Sequence, residues 1–179
     1  MTTSSPELLA QDNAVALGPL RRDLLDTYLR WDNDPIVMRG YGRPKAITED
    51  ERAAGRDAQL SGDNIHRTIY HTGTGRPTHV GTVTLAIDHE MHTAELSIAL
   101  GQVGRGRGLA TPAVRLTARH GFDTANLHSI WLSVLAPNTH AIRAYESAGF
   151  HHVGRRRDAG YWDGQPCDEI LMDAVHADI

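Results

Sequence analysis

The chain has 179 residues, of which 40% are hydrophobic and 22% charged, and its formal net charge is -4. These values predict one soluble globular domain, large enough to hide about 70% of the surface that the unfolded chain exposes. No run of the sequence approaches the about 18 consecutive apolar residues that a membrane span needs, and the negative net charge gives no support to a nucleic-acid partner. The first residues lack the basic and apolar regions of a signal peptide, so we expect a cytoplasmic protein.

The predicted elements alternate between strands and helices. In chain order they are a strand (13–20), a helix that begins after Asp23 and stops at 33–35, a helix (48–60), three strands (67–71, 80–87 and 93–100), a helix (111–122), a strand (129–135), a helix (139–148) and two strands (153–161 and 169–175). Residues 36–46 contain two glycines and a proline and predict a loop. The order predicts an α/β (α+β) fold with one mixed sheet of about seven strands and about four helices.

The chain shows no linker or repeat that would divide it. Residues 1–12 are polar, and we expect them to be flexible. Residues 13–179 are then expected to form the single domain.

A glycine-rich segment between the fourth strand and the third helix is the strongest functional signal. Residues 105–110 read Arg-Gly-Arg-Gly-Leu-Ala. Glycines let a ligand approach the backbone, and a helix N-terminus adds partial positive charge, so the segment suits a pyrophosphate. For the hexapeptide alone, a tight turn with solvated arginines is an equal alternative. The glycine spacing differs from that of a dinucleotide-binding turn, and the lysine of a P-loop is missing.

A second signal follows the fifth strand. Residues 138–150 read Asn-Thr-His-Ala-Ile-Arg-Ala-Tyr-Glu-Ser-Ala-Gly-Phe and predict a short helix that ends at a glycine. Taken alone, Asn138 is a suitable N-cap, and Tyr145 is an ordinary core tyrosine on the face of Ile142.

Together these two segments resemble the GNAT superfamily of acyl-CoA-dependent N-acetyltransferases. Its phosphate-loop pattern, Gln/Arg-x-x-Gly-x-Gly/Ala, is matched by Arg105, Gly108 and Ala110. Its later pattern, Asn-x-x-Ala-x-x-x-Tyr-x-x-x-Gly-Phe, is matched by Asn138, Ala141, Tyr145, Gly149 and Phe150. The opening of the chain is also similar to the branch of ribosomal-protein N-terminal and polyamine acetyltransferases, through residues 17–20, 31–35 and 94–96.

The resemblance implies a single-domain GNAT fold in which the fourth and fifth strands splay apart. Acetyl-CoA is the implied co-substrate, and no metal is expected. Its pantetheine arm would lie in the splay beside Ile98, Ala99 and Leu100, and Asn138 would bond a pantetheine amide. The pyrophosphate would be held by the amides of Arg105, Gly106, Arg107, Gly108, Leu109 and Ala110. The two arginine side chains would either add contacts or remain solvated.

Proton transfer suggests two catalytic roles. An ammonium acceptor must lose a proton before it attacks, and a departing thiolate gains from receiving one, because a thiol has a pKa near 8.5. The resemblance places the thioester beside Tyr145, which is then the general acid. Strand alternation puts Glu95 on one face with Ser97 and Ala99, and Glu95 is the candidate base, acting through a water. An exposed strand carboxylate is an equal alternative for Glu95.

The acceptor pocket is expected between the loop that follows the first helix and the last hairpin. Candidate aromatic walls are Trp31, Tyr41, Tyr70, Tyr161 and Trp162, and Asp34 and Asp163 are candidates to attract an ammonium. The expected acceptor is the primary amine of a small molecule, such as a polyamine, amino sugar, amino acid or antibiotic. A protein N-terminus, a different acyl or aminoacyl donor, and a non-catalytic CoA-binding module are alternatives. Exposed strands at the end of the chain are compatible with a homodimer.

The remaining motifs favour structural interpretations. His89 and His92 flank a turn and lack the spacing of a helical zinc motif. The single cysteine, Cys167, excludes an internal disulfide and a multi-cysteine zinc site. Residues 155–157 are three arginines on one predicted strand, which is typical of a solvated face rather than a nucleic-acid patch.

Overall fold

The described residues form one central mixed sheet of eight strands. The computed structural model describes residues 6–12, 14–73 and 75–179. The strands are β1 (Ala10–Asp12), β2 (Val15–Pro19), β3 (Ile65–His71), β4 (Thr78–Asp88), β5 (Thr93–Leu100), β6 (Ser129–Leu135), β7 (His151–Trp162) and β8 (Gln165–Val175). Their order in the sheet is β1-β2-β3-β4-β5-β6-β8-β7. The β5–β6 neighbours are parallel, and the other neighbouring pairs are antiparallel.

The described residues form five α-helices. They are α1 (Leu25–Asp32), α2 (Pro35–Gly40), α3 (Glu49–Ser61), α4 (Ala110–Ala125) and α5 (Thr139–Ala148). The predicted α/β class and the mixed sheet are confirmed, and the seven predicted strands and four predicted helices are present.

One strand is additional to the seven that the sequence predicts. It is β1, which lies in the segment that the sequence predicts to be flexible. Residues 10–12 pair antiparallel with β2, with Ala10 opposite Leu17. Residues 1–5 and Asn13, the first residue of the predicted first strand, lie outside the described residues.

Helix α2 replaces part of the loop that the sequence predicts for residues 36–46. Asp34 Oδ1 accepts a hydrogen bond from the amide of Ile36 at 2.9 Å, and Pro35 occupies the first turn. Aspartate is a good N-cap and proline is favoured at the first helical position. The residues that end α1 therefore also begin α2, and the prediction of a loop from residue 36 is wrong.

Different helices cover the two faces of the sheet. On one face α4 packs over the main core, which includes Ile69 and Leu96. On the other face α1 contributes Tyr28 and Trp31, and the Tyr28 hydroxyl lies 2.6 Å from Oγ1 of Thr68 in β3. Thr68 and Ile69 are neighbours in one strand, so they point to opposite faces. Burial of each large apolar side chain contributes about 1.5–3 kcal/mol to folding.

Candidate active site

A cleft opens where β5 and β6 separate. Their parallel pairing ends at Glu95 and Trp131, although β5 continues to Leu100 and β6 to Leu135. The predicted splay between these strands is therefore present. The cleft has a volume of about 320 Å³ and is lined by both strands and by α5.

The free edge of β5 presents backbone groups to this cleft. The amide of Gly101 donates to the carbonyl of Val80 in β4 at 2.9 Å. Backbone groups of successive strand residues point alternately to the two sides of a strand. Those of Leu100 and Ile98 therefore point away from β4 and into the cleft, whereas those of Ala99 face β4. Such an edge offers donors and acceptors to an extended ligand.

The glycine-rich segment leads into the N-terminus of α4. Gly106 and Gly108 both have a φ of 69°, in the left-handed region that glycine adopts at little cost. A Cβ added to either glycine would meet no atom within 4 Å, so open space lies over this backbone. The first amides of a helix have no intrahelical acceptor, and here Ala113 N closes the first turn onto Leu109 O at 3.1 Å. The segment therefore fits a pyrophosphate.

A groove of about 490 Å³ runs over this segment and continues into the cleft. Both cavities are lined by Leu100, Ala110, Asn138 and Ala141. Groove and cleft thus form one continuous slot, which begins at the glycine-rich segment and ends between β5 and β6. We call this feature the slot.

The Arg105 side chain is held by a carboxylate. Its guanidinium donates two hydrogen bonds to the Asp34 carboxylate, at 2.7 and 2.8 Å. The arginine lowers the pKa of Asp34 to about 2, so the carboxyl is ionised at neutral pH. The structure therefore places the Arg105 guanidinium on Asp34 and neutralises the carboxylate that the sequence suggests for an ammonium. Arg105 still lines both the cleft and the groove.

The two neighbouring loop residues differ in exposure. The Arg107 side chain is exposed. Leu109 is 3% exposed and belongs to the main core, so it offers the groove its backbone rather than its side chain.

Asn138 lies where the groove meets the cleft. Its Oδ1 accepts a hydrogen bond from the amide of Ala141 at 3.3 Å, which caps α5. Its Nδ2 lies on the other side, 3.5 Å from the position of a Cβ added to Gly40. The N-cap interpretation is therefore correct, and the same side chain also lines the slot.

Tyr145 reaches the cleft from α5. This helix is fixed against the start of α4, because Thr111 Oγ1 donates to the carbonyl of Ala144 at 3.2 Å. The Tyr145 ring lies against Phe150, with 6.3 Å between ring centroids. Burial raises the pKa of the Tyr145 hydroxyl above its ordinary value, and the nearby Tyr41 adds to the shift. The hydroxyl is therefore protonated and able to donate throughout the neutral pH range.

Glu95 lines the same cleft as Tyr145. The Glu95 side chain is half-buried, at the last position where β5 pairs with β6. Burial, and secondarily the charge of Glu169, raises the pKa of Glu95 above that of an exposed glutamate. A carboxylate with a raised pKa is a better proton acceptor than an exposed one.

A second, polar cavity of about 230 Å³ lies on the α1–α3 side of β5, and we call it the acceptor-side pocket. Tyr41, Ser97 and Ala99 line both this pocket and the cleft. The predicted alternation of β5 agrees with this placement, since Ser97 and Ala99 share a face with Glu95.

Sequence reasoning did not identify the charged residues of this pocket. They are Asp32, Arg43, Glu51, Arg52 and His66. The Arg52 Nε atom lies 2.8 Å from Oδ2 of Asp32. The Glu51 carboxylate accepts a hydrogen bond of 2.8 Å from the amide of Thr48. Thr48 and Glu51 thus form a capping box at the start of α3, but no local pattern indicates that α3 faces a cavity.

Two predicted aromatic walls lie in the interior instead. Trp31 is 8% exposed, and its ring lies directly against Gly101, where an added Cβ would be 2.1 Å from Nε1. Tyr70 is 1% exposed. Among the described residues, neither lines the slot or the acceptor-side pocket, because both are used to pack the fold.

The residues of the last hairpin lie nearer to the groove. Trp162 lines it, with the Arg39 guanidinium 4.9 Å from the ring centroid. The Asp163 carboxylate lies 3.7 Å from the Arg39 guanidinium. Asp163 and Tyr161 border a separate surface depression beside α2. Trp162 therefore extends the slot, whereas Asp163 is paired with an arginine.

Within the described ranges, no group of three or more His, Cys, Asp or Glu side chains is arranged to hold a metal ion. No helix in the same part of the chain is long and apolar enough to cross a membrane.

Comparison with known proteins identifies the class that this fold and slot define. Residues 15–151 match the family described as Acetyltransferase (GNAT) domain. The chain therefore belongs to the GNAT acetyltransferase family, and it is an acetyl-CoA-dependent N-acetyltransferase. The predicted family is confirmed.

Named relatives point to one branch of the family. The chain is 29% identical over 161 residues to the spermidine N(1)-acetyltransferase of Escherichia coli K12, covering 89% of this chain and 85% of the relative. It is 32% identical over 136 residues to the probable N-acetyltransferase YjcK of Bacillus subtilis, covering 73% and 71%. The structure of a Vibrio cholerae spermidine N-acetyltransferase in complex with CoA and spermine superimposes with a TM-score of 0.85 at 21% identity, covering 93% of this chain and 98% of that one. The predicted similarity to polyamine acetyltransferases is confirmed.

Proposed function

We propose that the slot binds acetyl-CoA and that the acetyl group passes directly to a primary amine entering from the acceptor-side pocket. The observation that carries this proposal is that Glu95 and Tyr145 line one cleft, at the end of a slot that begins over the glycine-rich segment. When bound, acetyl-CoA supplies the acetyl group as a thioester. The amides at 105–110 would hold its pyrophosphate, and the free edge of β5 would hold its pantetheine arm.

In this proposal two side chains move protons. Glu95 accepts a proton from the acceptor ammonium through a water, for which its raised pKa suits it. The Tyr145 hydroxyl donates a hydrogen bond toward the departing sulfur, and its raised pKa keeps it in the donor form. Neither role requires a covalent acyl-enzyme. Asn138 remains the candidate to bond the pantetheine amide, since its Nδ2 is not used in capping α5.

We propose a polyamine as the acceptor. The acceptor-side pocket is small and polar, and the carboxylates of Asp32 and Glu51 lie in its wall beside the guanidinium groups of Arg43 and Arg52. Three of the matched relatives are named spermidine N(1)-acetyltransferase. Because acetyl-CoA is made inside cells, the proposed location is the cytoplasm.

A thiol-release assay with acetyl-CoA and a panel of amines tests the acceptor. The panel contains spermidine, spermine, an amino sugar, an amino acid, an aminoglycoside and a short peptide with a free N-terminus. We expect the highest kcat/KM with the polyamines, and the Tyr145→Phe variant serves as the control. Preference for the peptide would replace the polyamine by a protein N-terminus as acceptor. A protein that binds CoA but releases no thiol with any amine would support another acyl donor or a non-catalytic module.

We further propose that the protein is a homo-oligomer in which a second copy covers β7. This edge strand is exposed over nearly its whole length, with Val153 61% and Tyr161 60% exposed. A related Vibrio cholerae spermidine N-acetyltransferase is described as dodecameric. Light scattering after size exclusion should give a multiple of the 19.6 kDa chain mass, and a monomer would contradict the proposal.

A further inference from the structure

The Tyr41 hydroxyl occupies a backbone acceptor that the proposed ligand needs. It donates a hydrogen bond of 2.9 Å to the carbonyl oxygen of Ile98. Ile98 belongs to the part of β5 that β6 no longer pairs, and the alternation set by Gly101 directs its carbonyl into the cleft. An extended arm that adds to this edge of β5 would use the same carbonyl.

Tyr41 also lies between two cavities. It follows the last residue of α2, and its side chain is one of the walls shared by the cleft and the acceptor-side pocket. The Arg43 guanidinium lies 4.6 Å from the centroid of the Tyr41 ring, and Tyr41 is 38% exposed. The hydroxyl end is buried, and burial raises its pKa to about 12, so it remains a donor at any pH used for assay.

We propose that Tyr41 is a positioning residue whose hydroxyl closes the free edge of β5 and is displaced from the Ile98 carbonyl by the pantetheine arm. This inference rests on the proposed function, because it requires the arm to lie along β5. The displaced ring remains in the wall of the acceptor-side pocket, so that the pocket takes its final shape after the arm is bound. Tyr41, which the sequence suggests only as an acceptor wall, then also affects binding of the co-substrate.

Binding of coenzyme A by Tyr41→Phe, measured by titration calorimetry, tests this inference. The variant keeps the ring and loses the competing donor. A neutral intramolecular hydrogen bond is worth a modest net free energy, so we expect coenzyme A to bind about 2- to 10-fold more tightly than to the wild type. Thermal unfolding of the unliganded variant verifies that it is folded.

A ligand without the arm provides the matched control. Adenosine 3′,5′-bisphosphate carries the nucleotide part of coenzyme A but lacks the pantetheine arm, so its Kd should be the same for wild type and Tyr41→Phe. The Thr124→Ala variant removes an exposed hydroxyl at the C-terminal end of α4, outside the slot, and should leave the Kd of coenzyme A unchanged. A gain in affinity that is specific to coenzyme A and to Tyr41 supports the proposal.

Two different results would contradict the displacement of Tyr41 and the proposed function separately. If wild type binds coenzyme A but Tyr41→Phe binds it equally or more weakly, the displacement of Tyr41 is contradicted while the proposed function stands. If coenzyme A binds no better than adenosine 3′,5′-bisphosphate, the arm does not use β5, and the proposed function itself fails. A crystal structure of the wild-type complex adds a direct reading: we expect the Tyr41 hydroxyl to have left the Ile98 carbonyl, and an unchanged hydrogen bond would overturn the proposal.

Discussion

At the scale of single residues, the proposed mechanism depends on two titratable groups that line one cleft. Tyr145 and Glu95 come from different elements, and burial moves the pKa of each upward. The same direction of shift has opposite uses, because it keeps the tyrosine as a donor and makes the carboxylate a stronger proton acceptor.

Substitution of Tyr145 by phenylalanine tests the donor role. The ring that packs against Phe150 is retained, so we expect coenzyme A to bind as in the wild type. Loss of the donor should reduce kcat by about 10²- to 10⁴-fold, or about 3–5 kcal/mol of transition-state stabilisation. Steady-state kinetics and a CoA titration separate the two effects, and unchanged turnover would remove the assignment.

The pH dependence of kcat/KM tests Glu95. A base must be unprotonated, so activity should fall as the pH falls through the raised pKa of Glu95, at a higher pH than for an exposed glutamate. Glu95→Gln should remove this acid limb and lower kcat/KM about 10²-fold or more at neutral pH. The matched control is Glu90→Gln, an exposed position in the β4–β5 turn, which should keep the wild-type profile. An acid limb that survives in Glu95→Gln belongs to another group.

At the scale of elements, the pair between Arg105 and Asp34 joins the glycine-rich segment to the start of α2. No local pattern predicts a contact between residues 71 positions apart. The sequence alone could have predicted a helix that starts at Asp34, because aspartate followed by proline commonly begins a helix. The same residues also end α1, and that signal alone suggested a loop.

Asp34→Asn tests this connection. Asparagine caps a helix as well as aspartate does, so the variant removes the charge and keeps the cap. We expect a loss of about 1 kcal/mol in the free energy of unfolding at pH 7, since the pair is partly exposed. The folded pKa of Asp34 is about 2, below the ordinary value, so its stabilisation is complete above the ordinary pKa and is lost as the pH falls toward 2.

Urea unfolding of wild type and Asp34→Asn measures this difference, which should shrink as the pH falls below about 4. The control variant, Asp23→Asn, breaks the more exposed ion pair with Arg21. It should lower the free energy of unfolding by less than Asp34→Asn does. A difference that does not depend on pH would show that the carboxylate charge is not what stabilises the contact.

At the scale of the whole molecule, the sequence predicted the order of elements and the two segments that border the slot. Strand alternation and helix periodicity are local, and they placed Glu95 and Tyr145 correctly on their elements. Tertiary packing decided the rest. Aromatic chemistry makes Trp31 and Tyr70 candidates for pocket walls, but aromatic residues also fill cores, and both are buried in this fold. The acceptor-side pocket forms between elements distant in sequence, which no motif indicates.

The most direct test of the central claim is a crystal structure of the protein with coenzyme A. We predict the pyrophosphate within hydrogen-bonding distance of the amides at 105–110, and the sulfur within about 3.5 Å of the Tyr145 hydroxyl. Coenzyme A bound outside the slot, or a sulfur remote from Tyr145, would contradict the claim.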